Sequence, residues 1–372
     1  MFDIQTPVGF FLGANTPQGF CGYHQELYDG RDGWRAFLIK SGPGTGKSSM
    51  MKEILNHMEA QGLEVEAIYC SSDPHSLDGV VVPFIKTVIF DATSPHILEP
   101  KYWGTVEQIV DLSSCMDAEK LHSHYEDVIK ATDACSAAHA RCRQFMGAAA
   151  ILQGDNQKMA ASCTDTDKIE RSAARIAARE WGGKTGKRGK ETRRFLSALT
   201  PEGTVVFYET LQNLCSRIYA LEDDYGASSA VMLEELRRRA LDAGLSIITC
   251  RCPLSPQDKI EHLLVPELGL GFTTSNGFHR ADFPVYRRIH AARFTDTDQL
   301  KTMREKLSFN RKAARELLRE AMAASVEAKA LHDQMEIYSK EAVDWKKVTR
   351  MQADVVRMFD RLVERKKEES HA

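Results

Sequence analysis

The chain repeats itself. Phe11-Leu12-Gly13-Ala14-Asn15-Thr16-Pro17-Gln18-Gly19 matches Phe195-Leu196-Ser197-Ala198-Leu199-Thr200-Pro201-Glu202-Gly203 in the pattern F-L-x-A-x-T-P-x-G, at an offset of 184 residues (195 − 11). Further matches follow in the same order: Gly62-Leu63 with Gly244-Leu245, Cys70 and Pro74 with Cys252 and Pro256, Val82-Pro83 with Val265-Pro266, and His96 with His279. Later still, Leu121, Leu152 and Asp165 match Leu300, Leu331 and Asp344, where the offset has drifted only to 179 (344 − 165). A period of about 180 residues is too long for a solenoid and implies two tandem copies of one domain-sized unit.

Each copy reads alike. The T-P-x-G turn leads into a strand, a loop, a helix and a second strand over 64–70 or 246–252. A third strand is predicted over 87–91 or 270–274, and a fourth over 107–112 or 286–291. Strands alternating with helices predict an α/β fold with parallel sheets and a ligand at their carboxyl ends. Long stretches with apolar residues at helical spacing, 117–180 and 296–366, close the two copies. Asp165 and Asp344 are placed to cap a second helix in each, which makes a helical hairpin. The expected organisation is an α/β copy over 1–116, a helical hairpin over 117–183, a basic linker over 184–194, a second α/β copy over 195–294, and a hairpin with tail over 295–372.

The loop of the first copy carries the chemistry. Phe37-Leu38-Ile39-Lys40 runs into Ser41-Gly42-Pro43-Gly44-Thr45-Gly46-Lys47-Ser48-Ser49, and a helical pattern starts at Met50. Strand, glycine turn, lysine, hydroxyl and helix come in the order of a phosphate-binding P-loop. Residues 42–49 (Gly42, Pro43, Gly44, Thr45, Gly46, Lys47, Ser48 and Ser49) are therefore the candidate nucleotide-binding set. The glycines let backbone N–H groups close around phosphate oxygens, and the helix adds its positive N-terminal end. Lys47 would reach the β- and γ-phosphates and Ser48 would ligate Mg2+. Ser41 stands where the strict pattern has glycine. ATP is expected over GTP, since no N-K-x-D motif occurs.

The second copy lacks this chemistry. At an offset of 182 the loop maps onto Glu222-Asp223-Asp224-Tyr225-Gly226-Ala227-Ser228-Ser229-Ala230, so Lys47 becomes Ser229 and Ser48 becomes Ala230. Each carboxylate beside a triphosphate costs on the order of 1–4 kcal/mol at about 4 Å. One competent site and one pseudo-site are expected.

Two acids complete the candidate site. Asp91 ends the apolar run Val88-Ile89-Phe90, as a magnesium-holding Walker B aspartate does, and its counterpart is Thr274. Asp73 follows the second strand, where a water-positioning or general-base carboxylate belongs, and its counterpart is Ser255. Asp73-Pro74 is also an ordinary turn start. Ala92, not glutamate, follows Asp91, which favours slow hydrolysis or transfer to an acceptor.

Other features are weaker. Cys135, His139 and Cys142 have helical spacing but map to Ala314, Leu318 and Ala321, an apolar stripe, so a core role is expected over a metal site. The basic stretch Lys184, Lys187, Arg188, Lys190, Arg193 and Arg194 reads first as a solvated connector. Its functional alternatives are an arm over a bound triphosphate, supplying an arginine finger, or a contact with nucleic acid. Net charge is −3, which by itself argues for neither nucleic acid nor an acidic membrane. No uncharged apolar run reaches the ~18 residues of a membrane span, and residues 1–6 do not read as a signal peptide. The nine scattered cysteines are then expected to be reduced thiols in a cytoplasm.

The duplicated set of F-L-x-A-x-T-P-x-G, P-G-T-G-K-S, C-x-x-x-P, V-P and helical hairpin resembles an uncharacterised bacterial family of tandem P-loop ATPases, often labelled ATPase or nucleotide kinase. The resemblance spans nearly the whole chain. It implies ATP binding with Lys47 and Ser48 as site residues, and it implies no substrate. The expected function is an ATP-binding protein with slow Mg2+-dependent ATPase activity in the first copy, the second being structural or regulatory. The alternatives are a kinase for a nucleotide or small acceptor, and an ATP-gated switch or adaptor whose helices bind another protein.

Overall fold

The computed structural model describes residues 8–183 and 187–371. Residues 1–6 and Lys184 lie outside the described residues.

In chain order the first copy forms β1 (Gly9–Phe11), β2 (Gly13–Thr16), β3 (Gly19–Gly22), β4 (Arg35–Lys40), α1 (Lys47–Ala60), β5 (Glu66–Tyr69), β6 (Leu77–Val82), β7 (Thr87–Asp91) and β8 (Glu107–Asp111). Helices α2 (Ala118–His122), α3 (Tyr125–Ala161) and α4 (Thr166–Glu180) follow. The second copy repeats the series: β9 (Glu191–Arg194), β10 (Ser197–Thr200), β11 (Gly203–Val206), α5 (Tyr208–Leu214), β12 (Arg217–Glu222), α6 (Ala227–Asp242), β13 (Ile247–Cys252), β14 (Ser255–Val265), β15 (Leu270–Ser275) and β16 (Arg287–His290). Helices α7 (Thr297–Thr302), α8 (Arg304–Ala342) and α9 (Trp345–His371) close the chain.

Each copy builds a six-stranded sheet of one topology, β1-β5-β6-β7-β4-β8 and β9-β13-β14-β15-β12-β16. The sheets are mixed, not parallel as expected. β6 runs antiparallel to both β5 and β7, and β14 runs antiparallel to both β13 and β15. The cause is connection length. Only residues 70–76 join β5 to β6, whereas a parallel neighbour needs a crossover of about a dozen residues or more. All six residues of β6 are buried. The T-P-x-G motif is a hairpin turn in both copies, closed by Thr16 Oγ1 to Gly19 O at 2.7 Å and Thr200 Oγ1 to Gly203 O at 3.0 Å.

The interior strand β4, between β7 and β8, holds Ala36-Phe37-Leu38-Ile39 buried, as a strand covered on both faces must. α1 turns Met50, Met51, Ile54, Leu55 and Met58 inward at helical spacing. The chain divides into two compact units, one of Met1–Gly13, Gly22–Ala140 and Ala324–Ala372, the other of Ala14–Cys21 and Arg141–Ala323. The long helices therefore do not group by chain order. In the first unit α9 packs on the sheet, with the Phe359 ring 5.2 Å from Phe37 and the Asp360 carboxylate 2.8 Å from His57. In the second unit α4 supplies Ile169, Ala173 and Ile176 to a core with Tyr219, Leu233 and Phe272. Asp165 caps α4 by accepting from Lys168 N, and Asp344 accepts from Lys346 N ahead of α9.

The last residues of the basic stretch are structured. β9 pairs parallel with β13, placing Thr192 opposite Ile248 and Arg194 opposite Cys250. Arg194 is buried there. Gly189 N donates to Leu241 O at 2.8 Å, so the connector is anchored to the second unit before the strand begins.

Candidate functional site

Residues 41–46 join β4 to α1 in the first unit. Gly44 and Gly46 have φ of +71° and +91°, a region that side chains strongly disfavour. Gly44 is also a close approach. A Cβ there would lie 2.9 Å from the backbone oxygen of Glu336 on α8. Gly46 caps α1, whose first-turn N–H groups have no intrahelical partner. Lys47 Nζ donates to Ser41 O at 2.9 Å and Gly42 O at 2.8 Å. It lies 3.4 Å from Asp91 Oδ2, each side chain 14% exposed. Thr45 is buried and donates to Gly42 O. Pro43 is half-buried and Ser49 is exposed. A lysine and a helix N-terminus thus bring positive charge to one end of this loop.

The acids are placed by the sheet. β7 lies beside β4 in parallel, with Asp91 opposite Ile39, and this brings the carboxylate to the loop. Its Oδ1 accepts from Thr93 N at 2.9 Å, so the residue also starts a turn. Ser48 Oγ accepts from Leu77 N at 3.0 Å. Leu77 follows the turn carrying Asp73, whose Oδ2 accepts from Ser76 Oγ at 2.8 Å. Lys47 and Asp91 thus meet directly, while Asp73 is linked to Ser48 only through the turn that ends at Leu77. Lys329 Nζ of α8 reaches within 3.6 Å of Asp73.

Sequence reasoning missed a buried polar layer. His96 Nε2 lies 3.3 Å from Asp78 Oδ2, both nearly inaccessible. Burial raises the Asp78 carboxyl, Asp91 adding to the rise while His96 and Lys47 oppose it. Burial also pushes the Cys70 thiol well up. The second unit has the same layer. His279 Nε2 lies 3.5 Å from Glu261, and Tyr208 Oη meets His279 Nδ1 at 3.0 Å. Burial opposes ionisation of Glu261, yet Lys259 at 3.2 Å and His279 hold it well below the usual carboxylate range. Burial pushes His262 down to about 3. The matched His96 and His279 were the signal in the sequence. Asp78 and Glu261 share their offset of 183 (279 − 96, 261 − 78).

The loop of the second unit differs in shape as well as in residue type. β12 ends at Glu222 and α6 starts at Ala227, after four loop residues where the first copy has six. α6 has 16 residues against 14 in α1 and starts half a turn early. The Asp223 carboxylate accepts from Tyr225 N at 3.2 Å, Gly226 N at 3.0 Å and Ser229 N at 2.8 Å. The protein's own anion thus occupies these backbone donors. Gln157 of α3 donates to Gly226 O at 3.2 Å.

Cys135 is buried with its Sγ toward Ala328 O, and Cys142 is also buried, as expected of core residues. Among the described residues no group of three or more His, Cys, Asp or Glu side chains is placed to hold a metal by itself. None of the nine cysteines is in a disulfide. Among the described residues no helix is long and apolar enough to cross a membrane. Comparison with protein-family models, with curated proteins and with solved structures finds no match to this chain.

Proposed function

We propose that the first unit binds ATP with Mg2+ through its glycine loop and hydrolyses it slowly, and that the second unit binds no triphosphate and is structural or regulatory. The observation that carries this reading is the contrast between the two loops. In one, Lys47 lies among loop carbonyls and beside Asp91. In the other, Asp223 fills the loop's own N–H groups. The resemblance to tandem P-loop ATPases supports the same reading.

The donor set suits magnesium. Mg2+ keeps several waters and takes one or two protein oxygens plus phosphate oxygens, so a dedicated cage is not needed. Ser48 would ligate it and Asp91 would hold its water shell; the ion, when bound, neutralises charge on the β- and γ-phosphates. Lys47 would exchange its two loop carbonyls for phosphate oxygens, turning neutral hydrogen bonds into charge-assisted ones. Asp73 would orient the attacking water.

Ala92 after Asp91 favours a second reading, transfer of the phosphoryl group to an acceptor hydroxyl. ADP release by the purified protein separates the two. A hydrolase releases ADP in Mg2+ without acceptor, at a rate that a panel of nucleosides and small alcohols leaves unchanged. An acceptor that raises ADP release tenfold or more makes the protein a kinase. No ADP release and no ATP binding under either condition overturns both.

A further inference from the structure

We infer that Lys329, on the long helix α8, is a positioning residue of the candidate nucleotide site and acts by holding Asp73. The inference rests on the ATPase reading above and deepens it.

α8 lies against the glycine loop, with Glu336 backbone within 3.0 Å of where a Gly44 Cβ would stand. Two turns earlier on α8, Lys329 Nζ sits between Asp333, at 3.0 Å, and Asp73, at 3.6 Å. Its side chain is 30% exposed, so the pair is only partly screened by solvent. Lys40, at the end of β4, has its Nζ engaged by Ala92 O, Leu98 O and Glu99.

The internal duplicate serves as a control. Glu336 touches Gly44, and Gln157 touches Gly226, the counterpart of Gly44. The two helices are therefore in register at an offset of 179 (336 − 157). At that offset Lys329, His332, Asp333 and Glu336 become Ala150, Gln153, Gly154 and Gln157. Every charged or titratable residue of this stretch of α8 is replaced by a neutral one. Asp73 becomes Ser255 at the same time. A pair needed only to dock a helix on a loop has no reason to vanish along with the loop lysine. A pair that serves the nucleotide does. The Asp78–His96 layer behaves in the opposite way: a carboxylate and histidine persist in both units, as expected of a structural pair.

Asp73 belongs to the turn that leads into Leu77, whose N–H donates to Ser48 Oγ and so ties that turn to the first residues of α1. The Lys329 ammonium lies on the side of Oδ2, which also accepts from Ser76 Oγ, and would fix one carboxylate rotamer so that Oδ1, met among the described residues only by His75 N at 3.4 Å, orients water. The effect belongs in the chemical step and not in ground-state binding.

The test uses the full chain, with ATP and Mg2+. Lys329→Ala and the isosteric Lys329→Met should each lower kcat about tenfold or more, with the ATP dissociation constant within about threefold of wild type. Lys329→Arg should restore most of the rate. Combining Lys329→Ala with Asp73→Asn should lose no more than Asp73→Asn alone, because the two act as one. Wild-type turnover in both neutral variants overturns the assignment and leaves the ATPase reading standing. So does full additivity in the double variant, or a Lys329→Arg protein as slow as Lys329→Ala. A wild-type protein that neither binds nor hydrolyses ATP overturns both.

Discussion

Lys47→Ala should weaken ATP binding by about a hundredfold or more and abolish measurable turnover, while Ser229→Ala, the equivalent change in the second unit, should alter neither. A charge-assisted hydrogen bond is worth roughly 1.5–3 kcal/mol, and Lys47 would supply two or more of them to the triphosphate. Its side chain is 14% exposed, so solvent screens it little. In the free loop it donates to Ser41 O and Gly42 O. Alanine removes a donor from Ser41 O, but Thr45 still donates to Gly42 O and holds the loop, so the fold should survive. Thermal unfolding of Lys47→Ala close to wild type, with binding lost, is the expected pair of results. Ser229 offers a different test. Its backbone N–H, not its side chain, holds Asp223, and alanine keeps that bond. An ATP affinity that falls on Ser229→Ala would mean that the second loop binds nucleotide after all.

Asp91→Asn should reduce the Mg2+-dependent rate at least a hundredfold, about 2.7 kcal/mol, and change metal-free ATP affinity much less. The carboxylate lies opposite Ile39, on the strand next to the loop, and within 3.4 Å of Lys47. Asparagine keeps the Oδ1 acceptor for Thr93 and removes the charge that a magnesium water shell needs. Metal-free binding rests on the loop and Lys47, which asparagine leaves in place. Loss of a neighbouring anion favours a bound triphosphate slightly, so affinity without metal should hold or rise. If Asp91→Asn turned over ATP normally and Asp73→Asn did not, the magnesium role would belong to Asp73.

Much of this architecture was legible in the sequence because it is written twice. The matched positions put strands at 87–91 and 270–274, and both are there as β7 and β15. Asp165 and Asp344 were legible as caps, since a short acceptor before a helical pattern has few other uses. The direction of β6 was not expected. A buried apolar run has the same pattern in either direction, and only the short connection at 70–76 carried the information. The acids of the second loop were legible only as a run of charge at 222–224. The role of Asp223 was not, because it reaches three N–H groups only once α6 starts half a turn early. Lys329 had no local signal. It lies more than 250 residues from Asp73 (329 − 73) and comes to it only through the packing of α8 in the first unit.

The claim that one loop is competent and the other is filled from within is tested most directly by counting. Calorimetric titration of the full chain with ATP and Mg2+ should give one binding site per chain, and the same titration of Lys47→Ala should give none. Two sites per chain, or a site that survives in Lys47→Ala, would contradict the account.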